Sequence, residues 1–297
     1  MIALRQCVTD DDYEVWLAVR RAVLPDDRAP SLDELKTFIK PGDAHVLADL
    51  DGELAGSGLM NRSDLGGAHV APRVLPDKRG RGVGTALLTR LAELAVERGF
   101  ERAGSHVAGA DMRSIAFARR FGFKETRRDI KQVLELGDAR PPIPRDLDGV
   151  GFVSIESRPE LLREAWPLAQ QGYEDMPIDG LDILQENWLA EEATLPGGSF
   201  VALADGEIVG YAGLMRWPDE PTKCEHGLTV VRRDWRRRGL ATAIKQRSIA
   251  WAAANGIREL VTWTQTGNEN MQAVNTRLGY VTAEVDIAFA RELPLDA

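Results

Sequence analysis

Residues 74–88 read VLPDKRGRGVGTALL, and residues 231–245 read VRRDWRRRGLATAIK. Their opening arginines, Arg79 and Arg236, are 157 positions apart. The same offset separates Gly122 in RRFGF (119–123) from Gly279 in NTRLGY (275–280). Upstream, HVLADLDGELAGSGL (45–59) matches FVALADGEIVGYAGL (200–214), with the Asp-Gly pairs at Asp51 and Asp205 offset by 154. Three landmarks in one order at nearly one offset are the mark of a duplicated domain.

Between the copies lies GDARPPIPRDLDGVG (137–151), with three prolines in four residues. Such a stretch can continue neither a helix nor a central strand. The expected organisation is an N-terminal domain over 1–137, a Pro-rich linker over 138–150 and a C-terminal domain over 151–297. Each copy opens on a short strand (4–8 and 152–156) and a helical region, with Thr9 as an N-cap before three acids. Two strands joined by an Asp-Gly turn follow, then a strand running into the Arg/Gly turn, a helix, a strand (259–265 in the second copy), a last helix and a closing strand. The fold class expected is α/β (α+β): two tandem domains, each a mixed, mostly antiparallel sheet flanked by helices.

The Arg/Gly turn excludes the common phosphate loops. Gly80, Gly82 and Gly84 are followed by Thr85, so the dinucleotide G-x-G-x-x-G spacing fails, and no G-K-[ST] follows. What the copies share is Arg-x-x-Gly-x-(Gly/Ala) between a strand and a helix: Arg79, Gly82, Gly84, then Arg236, Gly239, Ala241. Small residues let backbone N–H groups reach an anion, and a helix start adds its positive end. A pyrophosphate suits such a site, with Arg237 and Arg238 adding charge. An ordinary turn with solvated arginines explains the turn alone equally well.

A net charge of −9 gives no support to nucleic-acid or membrane-surface binding. The cluster Arg232, Arg233, Arg236, Arg237 and Arg238 is the only basis for a nucleic-acid reading. No transmembrane run and no signal-like N-terminus is read. Two distant cysteines, Cys7 and Cys224, and four histidines (His45, His69, His106, His226) without ligand spacing suggest a cytoplasmic protein with no metal.

A turn of this form after a strand ending in Val, then an amphipathic helix and a distal Asn…Gly-aromatic segment, resembles the GNAT superfamily of N-acetyltransferases over nearly the whole chain, twice. The order of two such domains, one degenerate, is similar to mycothiol-synthase-like tandem acetyltransferases. The resemblance implies acetyl-CoA in a splay between two central strands, transferring its acetyl group to a primary amine of a small cationic acceptor, with CoA as product. In the second copy it implies donor contacts from Thr229, Val230, Val231, Arg236, Arg237, Arg238, Gly239, Leu240, Ala241, Thr242 and Asn270. The first copy's equivalents are Val74, Arg79, Gly80, Arg81, Gly82, Val83, Gly84 and Thr85.

The family base is often a Glu eleven residues before the motif's first Arg, which is Glu225. If the strand alternates, Glu225, Gly227, Thr229 and Val231 share a face. In the first copy the same count reaches Ala68, and Pro72 stands for Thr229 without an N–H. His69 would point away from the site. The N-terminal copy is therefore expected to be degenerate. The family's general acid, a Tyr four residues before the distal Gly, is Asn275 here and Ala118 in the first copy, so Tyr211, Tyr280, a water or no protein acid serves, and the role is unassigned. Helix capping explains the run at Asn268 and Asn270 as well as donor contact does. Tyr173, Glu174, Asp175 and Asp179 suggest an acidic acceptor pocket, and Trp217 a substrate contact. The rival reading is a non-catalytic acyl-CoA sensor or scaffold.

Overall fold

The computed structural model describes residues 1–137, 143–178 and 180–295, so Asp179 and residues 138–142 of the Pro-rich stretch lie outside the described residues. The chain forms two compact units.

The first unit runs β1 (Ile2–Gln6), α1 (Asp10–Val23), α2 (Leu32–Phe38), β2 (Ala44–Leu50), β3 (Glu53–Arg62), β4 (Ala68–Val74), α3 (Val83–Glu97), β5 (Arg102–Ala108) and α4 (Met112–Arg120). Helix α1 starts where expected. Thr9 Oγ1 accepts from Asp12 N at 3.2 Å and Asp12 Oδ2 accepts from Thr9 N at 3.0 Å, a reciprocal capping box. The β2–β3 hairpin closes on Asp51 (φ 55°) and Gly52 (φ 86°), the two left-handed positions of a tight hairpin turn. Leu87, Leu91 and Leu94 of α3 pack on Met60 and Val70 of the sheet to form the core.

Strand β6 (Lys124–Glu135) then carries the chain into the second unit. That unit holds β7 (Gly151–Ser154), α5 (Glu160–Glu164), α6 (Trp166–Glu174), α7 (Gln185–Glu191), β8 (Phe200–Ala204), β9 (Glu207–Arg216), β10 (Lys223–Val231), α8 (Leu240–Ala254), β11 (Glu259–Gln265) and α9 (Glu269–Arg277). The β8–β9 hairpin repeats the turn at Asp205 (φ 51°) and Gly206 (φ 83°). Leu161, Leu168, Trp188, Tyr211, Leu228 and Val230 pack beneath α5–α7. Val231, Leu240 and Ile244 pack on the α8 side.

The spatial division differs from the sequential one. In the second unit β11 pairs antiparallel with residues 129–135 of β6. In the first, β5 pairs antiparallel with residues 286–292 of β12 (Val281–Glu292). The first unit is thus Met1–Arg127 plus the chain from Asp286, and the second is Arg128–Val285. The closing strand of each sequence repeat completes the sheet of the other unit. Homologous strands offer the same backbone donors and acceptors, so the repeat pattern does not say which sheet each one joins.

Candidate active site

Strands β10 and β11 pair in parallel from Lys223↔Glu259 to His226↔Thr262 and no further, although both continue. The register of β10 against β9 also slips between His226↔Leu214 and Thr229↔Ala212. Gly227 and Leu228 together oppose the single Gly213, which is a β-bulge. The bulge corrects the expected alternation. Cys224 packs with Ile249 and Ala252 on the α8 side, so Glu225 points to the α5–α7 side. Beyond the bulge Val230 packs toward α6, where a Cβ on Gly172 would lie 2.8 Å from Val230 Cγ2. Val231 packs on α8, and Thr229 shares its face. Glu225 and Gly227 therefore face the α5–α7 side, and Thr229 and Val231 face α8. One extra residue reverses every side chain after it.

Glu192, just past α7, fills the space this opens. Its Oε1 accepts the Leu228 N–H at 2.9 Å and its Oε2 accepts the Tyr211 hydroxyl at 3.0 Å. The fit requires two glycines, because a Cβ on Gly213 or Gly227 would collide with the carboxyl. Burial pushes the Glu192 carboxyl up to about 7, against the lowering effect of those two hydrogen bonds. Burial and the Glu192 charge push the Tyr211 hydroxyl well above its ordinary range.

Helix α8 begins below the splay. Its N-cap, Gly239, has φ 83°, and no side-chain cap covers the first turn at Leu240, Ala241 and Thr242 among the described residues. First-turn N–H groups without a side-chain cap, at the positive end of the helix dipole, are able to receive an anion. Arg236 Nε donates to Val231 O at 3.0 Å, and Arg238 lies 4.7 Å from the Trp235 ring. Arg237 holds φ 62°, a left-handed conformation that costs a non-glycine residue about 1–2 kcal/mol. Arg233 Nη2 donates to Asp175 Oδ1 at 2.7 Å and to Glu174 Oε2 at 3.2 Å, and Arg236 also pairs with Asp175. Hydrogen bonds from Arg233, then Arg236, hold the Asp175 carboxyl below its usual range. The acidic pocket expected from Glu174 and Asp175 is thus corrected: those charges are neutralised by the arginines of the turn.

A family model described as the Acetyltransferase (GNAT) family matches residues 6–123 and 158–280. The chain belongs to the GNAT acetyltransferase family. A mycothiol acetyltransferase of Streptomyces griseus is 28% identical over 258 residues, covering 85% of this chain and 81% of the relative. One of Nocardia farcinica is 29% identical over 269 residues, covering 84% of each. Among solved structures, a tandem GNAT protein from the clavulanic acid biosynthesis pathway covers the whole of both chains with a TM-score of 0.77 at 20% identity. A GCN5-related N-acetyltransferase from Sphaerobacter thermophilus covers 98% of this chain and 95% of its own, with a TM-score of 0.78 at 20% identity. These two likenesses carry the tandem GNAT fold.

Both GNAT units keep the turn. Arg79 Nε donates to Val74 O at 3.2 Å, Gly80 and Gly82 hold φ 77° and 88°, and α3 starts at Val83 without a side-chain cap. Arg81 is engaged with Asp51 at 3.1 Å. The bulge is where they part. The β3–β4 register runs unbroken from Gly56↔Val74 to Arg62↔Ala68, with Pro72 opposite Gly58. The missing extra residue moves the match for Glu225. Glu225 lies opposite Met215 and Val261, and the corresponding place, opposite Asn61 and Gly104, is held by His69 rather than Ala68. His69 borders a cavity of about 40 Å³ with Arg102, His106 and Thr126. Burial, then His106 and Arg73, pushes its imidazole down to about 3, which makes it a weak proton acceptor at neutral pH.

Other expected site residues are placed as follows. Asn270 is exposed in the first turn of α9. The capping alternative fails at Asn268, whose side chain makes no cap bond. Trp217 is buried under Lys223, with Nζ 4.3 Å from its ring centroid, and is a packing residue. Asn275 is fully buried and donates to Gln132 Oε1 at 2.9 Å. The Tyr280 hydroxyl and His226 Nδ1 lie 2.6 Å apart, both residues buried on the α8 side with Lys245. Sequence reasoning missed Glu192 and Lys245. Gly213 and Gly227, glycines inside strands, were the one available signal of a bulge or a close approach.

Proposed function

We propose that the second unit binds acetyl-CoA between β10 and β11 and transfers the acetyl group to a primary amine of a small cationic acceptor. The observation that carries this reading is the divergence of the two strands beyond His226↔Thr262, where β10 bulges and before the uncapped start of α8. The residues fit the donor. The Leu240, Ala241 and Thr242 N–H groups with Arg236, Arg237 and Arg238 would hold its phosphates, and Thr229, Val230, Val231 and Asn270 would flank its arm. Bound there, acetyl-CoA supplies the activated acetyl group as a thioester.

Glu225 accepts a proton from the incoming ammonium, leaving the neutral amine that can attack. Its half-buried position on the α5–α7 face of β10 supports this role. The names of the curated relatives make a mycothiol-related amine the first acceptor to assay. The first unit is the non-catalytic half in this reading. It keeps Arg79, Gly80, Gly82, Val83, Gly84 and Thr85 at an uncapped helix start but has no bulge. Phosphate groups can be held there without acetyl transfer.

Calorimetric titration with acetyl-CoA tests the assignment through two variants. Gly239→Val places a β-branched side chain at φ 83° and disorders the α8 anion site. It is expected to weaken binding by about tenfold or more, the loss of one or two charge-assisted contacts. Gly82→Val is expected to remove at most a second, separate site. Unchanged affinity in Gly239→Val, or no binding by the unsubstituted chain, would overturn the proposal.

A further inference from the structure

An ammonium that becomes an amide nitrogen loses two protons, one before attack and one as the C–N bond forms. The C–S bond then breaks and the departing sulfur takes one proton, so one proton is released overall. Glu225 accounts for the first proton only, and the position where the family usually offers a tyrosine acid is Asn275. Its side chain is buried against Gln132 and has no labile proton.

We infer that Glu192 is the second proton carrier, taking the proton from the attacking nitrogen and passing it to the departing thiolate. The assignment rests on the acetyl-transfer reading above. Its own support is geometric. The bulge at Gly227-Leu228 turns the Leu228 N–H out of the strand ladder, and Glu192 Oε1 occupies that N–H. Glu192 Oε1 therefore stands at the bulge beyond which β10 and β11 part, beside the place where the thioester is proposed to lie. Gly227, above which the carboxyl sits, is two residues from Glu225 on the same face of β10, a rise of roughly 7 Å. Tyr211 on β9 fixes the other carboxyl oxygen at 3.0 Å. The other ionisable groups acting on the Glu192–Tyr211 pair are Glu191, next in the chain, and Tyr173 from α6, while Glu225 lies on the same face of β10. Burial pushes the carboxyl up to about 7, so it can accept from the protonated nitrogen of the tetrahedral intermediate and give to a thiolate of higher proton affinity.

The test uses Glu192→Gln, which preserves shape, and Tyr211→Phe, which leaves the carboxyl in place. Carbon-13 NMR of glutamate-labelled protein without substrate is expected to show one carboxyl titrating at about pH 7, absent from Glu192→Gln. Turnover in Glu192→Gln is expected to fall about 100-fold or more, as for loss of a general acid–base group, with acetyl-CoA affinity by calorimetry retained. The loss should persist at pH 9.5, whereas loss in Glu225→Gln should shrink there because the amine enters unprotonated. The Tyr211 hydroxyl lowers the carboxyl, so Tyr211→Phe should move both the NMR titration and the acid limb of kcat/KM to higher pH. A carboxyl titrating near 4.5, full turnover in Glu192→Gln, or an unmoved pH limb in Tyr211→Phe would overturn the role of Glu192 alone. Failure of the unsubstituted protein to bind acetyl-CoA would overturn the transfer reading itself, and this inference with it.

Discussion

Glu225→Gln is expected to lower kcat by about 100- to 10,000-fold, the usual worth of a positioned general base, while acetyl-CoA affinity stays within about threefold of that of the unsubstituted protein. The side chain lies on the α5–α7 face of β10, opposite Met215 and Val261, and away from the α8 turn proposed to hold the donor phosphates. Removing its charge therefore touches the acceptor's proton and not the donor's anchor. The loss should shrink as pH rises toward the acceptor's own pKa, because the amine then arrives already neutral. Steady-state kinetics between pH 6 and 9.5, paired with calorimetry, checks all three parts. The same experiment separates an enzyme from an acyl-CoA sensor, since a sensor has no turnover to lose.

Lys245→Met is expected to stabilise the second unit at pH 6 by about 1–4 kcal/mol, the range found when buried ion pairs are replaced by apolar side chains. Lys245 on α8 is 1% exposed, with Nζ 5.2 Å from the Tyr280 ring centroid. Burial pushes its ammonium down to about 7, and burial, then the Lys245 charge, holds the His226 imidazole well below the ordinary range. The sign follows from proton binding. Between about pH 7 and 10.5 the unfolded chain holds the Lys245 proton and the folded protein does not, so stability rises with pH in that window. Below pH 7 the folded state carries the buried charge and its full cost. The methionine variant lacks this dependence, so its advantage should be largest at pH 6 and small at pH 10. Thermal unfolding at the two pH values should show a Tm gain of roughly 5–10 °C at pH 6 only, for a unit of this size. An equal gain at both pH values would mean that packing, and not charge burial, limits stability at this position.

The landmarks legible in the sequence are those whose physics is local. The Thr9 capping box, the two Asp-Gly hairpins and the Arg/Gly turns each occupy a few consecutive residues, and each forms as its residue types demand. The count that reached Glu225 also led to the α5–α7 face of β10, but for the second copy alone. Applied to the first copy it reached Ala68, because the count cannot register that β4 has no bulge. Glu192 was not legible. It stands 33 residues before Glu225, and only the folded unit brings it over Gly213 and Gly227.

By itself the sequence determined that the domain is duplicated, that each copy places an Arg/Gly turn between a strand and a helix, and that the family is GNAT. These follow from repeat period, turn chemistry and residue spacing, which are properties of neighbouring residues. The tertiary structure decided which sheet takes each copy's closing strand, where β10 bulges, and which carboxyl and ammonium lose their water. Strand partners, register and burial depend on contacts between residues distant along the chain, and no local pattern in the sequence specifies them.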